Sequence, residues 1–502
     1  MNEKKQKFGE AAWYLTIFAF FYIWFTRIHP LIVYDADDWT YLAYVRKATP
    51  IWGDWNPAKV FPEVVMPFIS TIALHTLYPL IGDYITTFTV AHAAVVSACI
   101  TGYAWCFSGL LKRTYSLSRL PRALITALFL IFHFLVFRTK DWNNTYLFSC
   151  EDLNCYYNYL IPALLNASLV MVMMGNTKFD HFIKNGDPAV KGLFYVVVYL
   201  AIFSNMVDSG ILAAFAGCQL LLHLIQDRKT FRLKDYVKKN AIYLLILLAW
   251  FISAVFELSG GRASSTSSHG LLPRIQETLY LLKDVLVNCN MTFWLCVMLI
   301  CLGAVFCFLS TRKKQEDEHI FLSGILTCII AGTALVVYML ILCAQIWSYN
   351  IYRSEYLFPL FFLGFILVFW ALGYLIKKQP KLLTVMPLLL VFLVSTINTN
   401  NKTFEDSLMS DYSPAVCADI SRDILEQFLA SDEAGLTEMT LHVPMHVADP
   451  ETEDNWPHSL VLIPRIGAAL YEQGLISQPI ELTVVADPAV NQRHNIPIPA
   501  AE

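Results

Sequence analysis

Charged side chains are scarce in this 502-residue chain: they make up 15% of it, against a hydrophobic share of 56%. Soluble domains carry about 25% charge, so a deficit this large excludes an ordinary soluble enzyme or a disordered regulator. There is no Gly-rich phosphate loop and no dinucleotide fingerprint, which leaves nucleotide use without support. No Cys-x-x-Cys pair occurs among the 12 cysteines, so a structural zinc site has no ligands to start from. Internal repeats and low-complexity tracts are absent too. The basic residues cluster at the flanks of apolar runs instead of forming a separate stripe, so no nucleic-acid partner is expected.

What the chain has is long apolar runs. Eleven are expected to cross a membrane, near 11–28, 84–111, 121–138, 159–176, 192–206, 209–226, 241–258, 291–310, 320–345, 356–376 and 382–397. Lys and Arg concentrate in alternate connections, among them Lys112-Arg113, Arg228-Lys229, Lys238-Lys239, Arg312-Lys313-Lys314 and Lys377-Lys378. The positive-inside rule then places the N-terminus inside and the C-terminus outside. Segment 61–80 is apolar enough to span, but it carries Pro62, Glu63, Pro67, His75 and Pro79, and a crossing there would invert the charge bias downstream. It reads as a helix lying in the outer interface. No small-residue cleavage site follows the first span, so that span is expected to stay as an anchor. Cys150 and Cys155 share one outer loop, where a disulfide and two free thiols are equally open.

Composition changes after residue 397: positions 398–502 hold 17 acids and 4 bases and no long apolar run. Alternating stretches at 437–443 and 480–486 read as strands, with helical patterns at 413–429 and 458–473. The fold class expected is an α-helical polytopic membrane protein, with domain 1–397 in the membrane and a small extracytoplasmic α/β domain at 398–502.

The first outer loop, 29–83, opens with three carboxylates in four positions: Asp35, Asp37 and Asp38. If 35–45 is helical, Asp35 and Asp38 share a face and Asp37 turns away beside Tyr41. Carboxylates this close do not all ionise freely, which suits a general base unless a cation holds them charged. A solvated helix start would also put Asp at these positions. Arg353 is the single base in the last short outer loop, at the lip of a span, where a guanidinium fork meets a lipid phosphate. Its other reading is a snorkelling residue or a partner of Glu355. Loop 138–158 offers Arg138 and Lys140 as further phosphate ligands. Glu151 and Tyr157 there join Trp39, Tyr41 and Tyr356 as candidate sugar-binding groups, because sugars need flat apolar faces and polar edges. Such aromatics also make up an interfacial belt. Asn205 and Asp208 sit in a turn facing the same side.

This arrangement resembles the GT-C superfamily of polytopic glycosyltransferases, which take sugars from polyprenyl-phosphate lipids. Closest in pattern are bacterial aminoarabinose transferases and O-antigen-modifying glucosyltransferases. Asp37-Asp38 falls where that family has its acidic pair after the first span. The stretch from Val60 to Gly82 is similar to its proline-bearing interfacial helix. Arg353 with Tyr356-Leu357-Phe358-Pro359 is similar to an Arg-Tyr-Leu-Leu-Pro element, except that the arginine here stands three residues before the tyrosine. The resemblance implies that Asp37 is the general base, that Asp38 assists it, and that Asp35 is the alternative. Arg353 would stabilise the departing lipid phosphate. Some members hold a divalent metal (Mg or Mn) at such acids and others do not; Asp37 and Asp38 are the candidate ligands. The implied partners are a polyprenyl-phosphate sugar and a surface polysaccharide or glycolipid acceptor, at the bacterial cytoplasmic (inner) membrane with the site extracytoplasmic. The rival readings are a flippase of lipid-linked glycan and a polysaccharide polymerase or ligase. A flippase would be expected to show broken or charged mid-membrane helices, and a polymerase to rest on outer bases.

Overall fold

The computed structural model describes residues 3–43, 57–137, 146–176, 179–258, 270–311, 316–397, 412–445 and 462–498. Among them, eight helices are long and apolar enough to cross a membrane: Phe8–Ile28, Tyr84–Tyr115, Leu153–Met173, Met206–Asp227, Ala241–Leu258, Met291–Ser310, Glu316–Ile346 and Ser354–Lys378. Each coincides with one of the eleven expected spans. The other three expected spans form shorter helices, Arg119–Leu135, Pro188–Ile202 and Met386–Thr396, of 17, 15 and 11 residues. At about 1.5 Å per residue none reaches about 30 Å unaided. Segment 61–80 breaks into Phe61–Val65, Met66–Thr76 and Tyr78–Ile81, closed by Gly82 at φ 74°, and none of these pieces is long enough to cross.

Ser354–Lys378 lies at the centre of the bundle, with 83% of its apolar window buried, whereas Met291–Ser310 on the periphery has 11%. An aromatic seam explains the position. Phe365 and Phe369 meet Phe129 and Phe132 edge-on, and Phe107 stacks on Phe129 at 3.9 Å. Close approach is also built in at Gly324, where a Cβ would overlap the Trp370 indole.

The C-terminal residues form helix Pro414–Glu433, strand Glu438–Val443, helix Leu462–Glu472, strand Glu481–Ala486 and helix Pro488–His494. The two strands pair in parallel from Glu438↔Glu481 to Val443↔Ala486. A parallel pair needs a crossover, supplied here by the segment carrying Leu462–Glu472. Met439, Leu441 and Val443 alternate inward, as the sequence pattern requires.

This small domain sits on the first loop. Helix Leu462–Glu472 packs against Ala36–Ala43. Gln473 donates to the Leu42 carbonyl at 3.2 Å and accepts from Tyr84 Oη at 2.5 Å. Ser421 Oγ donates to the Val33 carbonyl, and the Arg422 fork grips Asp83 through Nε and Nη2 at 3.0 and 3.1 Å.

Candidate functional site

Two loops and one span end converge beneath the C-terminal domain. The first is the turn into helix Ala36–Ala43. Asp35 Oδ1 accepts the Asp37 N–H at 2.8 Å, which starts the helix. Asp38 is fully buried: its Oδ2 accepts from the Tyr34 and Asp35 N–H groups at 3.2 Å, and its Oδ1 from the Asn154 N–H at 2.7 Å. Burial, with the charges of Asp152 and Asp35, raises the Asp38 carboxyl, and the backbone N–H groups pull against that rise. Asp37 has a different neighbour. Its side chain is 42% exposed, and its Oδ1 takes a hydrogen bond from Arg465 Nη1 at 2.9 Å.

The second loop is the segment entering helix Leu153–Met173. Asp152 caps that helix by accepting from the Cys155 N–H at 2.6 Å, and the Cys155 thiol donates to its second oxygen at 3.3 Å. Cys150 and Cys155 are both free and buried, which resolves that pair in favour of two thiols. Burial, reinforced by Asp35, lifts Asp152 to about 8; burial and the charge of Glu355 lift Glu151 to about 7.

The third component is the start of Ser354–Lys378. Arg353 Nη2 lies 2.6 Å from Glu151, 3.4 Å from Glu355 and 3.5 Å from Cys155 Sγ, with its guanidinium 5.6 Å from the Tyr159 ring centre. The ligand atoms of Glu151, Cys155 and Glu355 lie within 4.8 Å of one another, a spacing that suits a cation. Arg353 fills that role. Glu355 is wholly buried and also accepts the Glu151 N–H, so the ion pair is locked to the backbone. The partnership expected between Arg353 and Glu355 is present, and Glu151 completes it.

Segment 149–155 therefore joins the other two. Its Asn154 N–H holds Asp38, its Glu151 carbonyl accepts from Tyr34 Oη at 2.8 Å, and its Ser149 carbonyl accepts from Ser354 Oγ at 2.7 Å. Glu151 and Glu355 thus hold Arg353, and Asp35, Asp38 and Asp152 stand within Coulombic range of one another beside them. Asp35 and Asp38 turn inward and Asp37 outward, as the helical spacing requires. Asp37 and Asp38 have separate partners, Arg465 for the first and the Tyr34, Asp35 and Asn154 N–H groups for the second.

Trp39, Tyr157 and Tyr356 are buried from any substrate approaching through solvent. Trp39 stacks on Tyr84, Tyr157 Oη bonds His92 at 2.7 Å, and Tyr356 packs on Tyr159. Their rings shape the packing around the site. Tyr41 is half-buried on the same short helix. Arg138 and Lys140 lie outside the described residues. Asp208 is fully buried, and neither carboxylate oxygen has a partner among the described residues. It lies within Coulombic range of Glu355, so the expected approach of this turn to the site is present.

Sequence reasoning missed Arg465. The signal was there: an acidic C-terminal segment with only four bases sends two of them, Arg422 and Arg465, to acids of segment 29–83. Comparison of the chain with protein-family models, with curated proteins and with solved structures finds no match in any of the three.

Proposed function

We propose that the chain is a membrane-embedded inverting glycosyltransferase. It would move a sugar from a polyprenyl-phosphate donor to a surface glycan, at the extracytoplasmic face of a bacterial cytoplasmic membrane. The observation that carries this reading is the tie between Arg353 and the aspartate turn, made through segment 149–155. A cation suited to phosphate and the turn that carries Asp35 and Asp37 are thereby held on one support at a membrane lip.

The acceptor hydroxyl oxygen attacks the anomeric carbon as the bond from that carbon to the phosphate oxygen breaks. The electron pair leaves on the polyprenyl phosphate, and the hydroxyl proton passes to Asp37, the exposed carboxylate of the turn. Asp35 is the alternative base. Asp38 has no surface to offer a substrate; with its oxygens bound to three backbone N–H groups, it positions the turn. Glu151, lifted to about 7, takes up a proton near neutrality, and that proton removes one of the two carboxylate charges paired with Arg353 and opens that side of the fork to phosphate, while Glu355 keeps it in place.

Proteoliposomes carrying the chain, a panel of polyprenyl-phosphate sugars and the host's surface glycan test this. The native chain is expected to transfer sugar, and Arg353→Ala to lose about 100-fold or more, the usual cost of removing a group that stabilises developing charge. Labelled lipid-linked sugar crossing the bilayer with no transfer overturns the enzyme reading in favour of a flippase.

A further inference from the structure

A cleft lies at the opposite end of the bundle from the C-terminal domain. It measures about 700 Å³ and is bounded by the start of the first span, the end of Tyr84–Tyr115 and the start of Arg119–Leu135. A cleft of this size holds an organic ligand. Three bases line it, Lys112, Arg119 and Arg122, against one acid, Glu10.

Arg122 is almost wholly buried. Its Nη2 bonds Glu10 at 2.9 Å and its Nη1 bonds Ser108 at 3.1 Å, while its Nε has no acceptor among the described residues. The indole N–H of Trp13, another lining group, is also buried without an acceptor. Buried donors are nearly always satisfied, so two orphans in one cationic cleft point to an acceptor that belongs there. Arg119 bonds the Gly9 carbonyl, and the Lys112 side chain has no ion-pair or hydrogen-bond partner among the described residues. Helix Arg119–Leu135 starts at this cleft, and its N-cap residue Ser118 makes no side-chain capping bond. The helix therefore adds a positive dipole end to the site.

We infer that this cleft binds the phosphate of an anionic phospholipid. A net positive lining, open donors and a helix start select an anion. The apolar part of the lining, Trp13, Leu117, Leu120 and Ala123, selects one that carries a hydrocarbon tail. Leu120 is 65% exposed and so presents an apolar surface beside the bases. Basic pockets between membrane helices take lipid head groups in this manner. The site is independent of the transferase chemistry at the other end.

The test is a titration of the full chain in neutral detergent with phosphatidylglycerol, read by native mass spectrometry and by the fluorescence of Trp13. Binding of one lipid is expected, and Lys112→Ala and Arg119→Ala should each weaken it about fivefold, with the two effects combining. Trp13→Phe removes the fluorescence response while the mass readout still reports binding. Diacylglycerol, which has no phosphate, should not compete. Unchanged affinity in the Lys112→Ala/Arg119→Ala double variant overturns the proposal, as does equal binding of diacylglycerol. Displacement of the lipid by inorganic phosphate at equal concentration assigns the cleft to a soluble anion and overturns the lipid assignment.

Discussion

Replacing Arg353 by alanine removes the cation that Glu151 and Glu355 hold between them. Its side chain is 24% exposed, its partner Glu355 is wholly buried, and Glu151 is 26% exposed. Breaking a buried pair by deleting one partner costs about 3–5 kcal/mol, because the remaining charge is left without compensation. The exposure of Arg353 and Glu151 discounts this, so a loss of about 3 kcal/mol is expected at pH 8. At pH 5.5 the loss should shrink, since Glu151, with its carboxyl near 7, is then protonated and attracts no cation. Arg353→Ala/Glu355→Gln should recover about 1 kcal/mol or more as the coupling in a double-mutant cycle. Denaturant unfolding in detergent micelles, followed by tryptophan fluorescence at both pH values, measures all three quantities. A loss within about 0.5 kcal/mol of native at pH 8, the range of ordinary surface substitutions, refutes the reasoning.

Other expectations follow from neighbouring groups. Asp38→Ala leaves three backbone N–H groups without their acceptor and should cost about 3 kcal/mol or more, read by the same unfolding assay. Glu151 and Asp152 bind protons in the folded chain, at about 7 and about 8, that the unfolded chain releases near pH 4. Their contribution to stability is therefore full below about pH 4 and is lost as pH rises towards 8; Glu151→Gln should flatten the Glu151 part of that profile. Gly324→Ala forces a Cβ into the Trp370 indole and should lower stability by about 1–3 kcal/mol, with Gly324→Ala/Trp370→Phe recovering part of it. Arg465→Ala frees Asp37 and should loosen the C-terminal domain, seen as faster proteolysis within 412–498 and faster amide exchange in Ala36–Ala43.

Much of this architecture is written in simple periodicities. Eight long apolar runs became eight long helices because a run of that length has few other ways to satisfy its backbone in a membrane. The strands at 438–443 and 481–486 were legible from period-2 alternation, and Asp35 and Asp38 were placed on one face by helical spacing alone. What the sequence conceals is contact between distant segments. Glu151 and Arg353 are 202 positions apart, and Asp37 and Arg465 are 428 apart; no local pattern pairs them. The aromatics show the same limit: a tyrosine such as Tyr157 suits a sugar wall or a packed interior equally, and its buried partner His92, 65 positions away, is not legible in the local pattern.

The most direct measurement is the anomeric configuration and rate of product formed by the purified chain from a polyprenyl-phosphate sugar, native against Asp37→Asn and Asp35→Asn. The account predicts a product of inverted configuration. It also predicts a fall of about 100- to 10,000-fold in Asp37→Asn, the range for loss of a general base, with donor still bound. Transfer with retained configuration, or native rates in both variants, contradicts it.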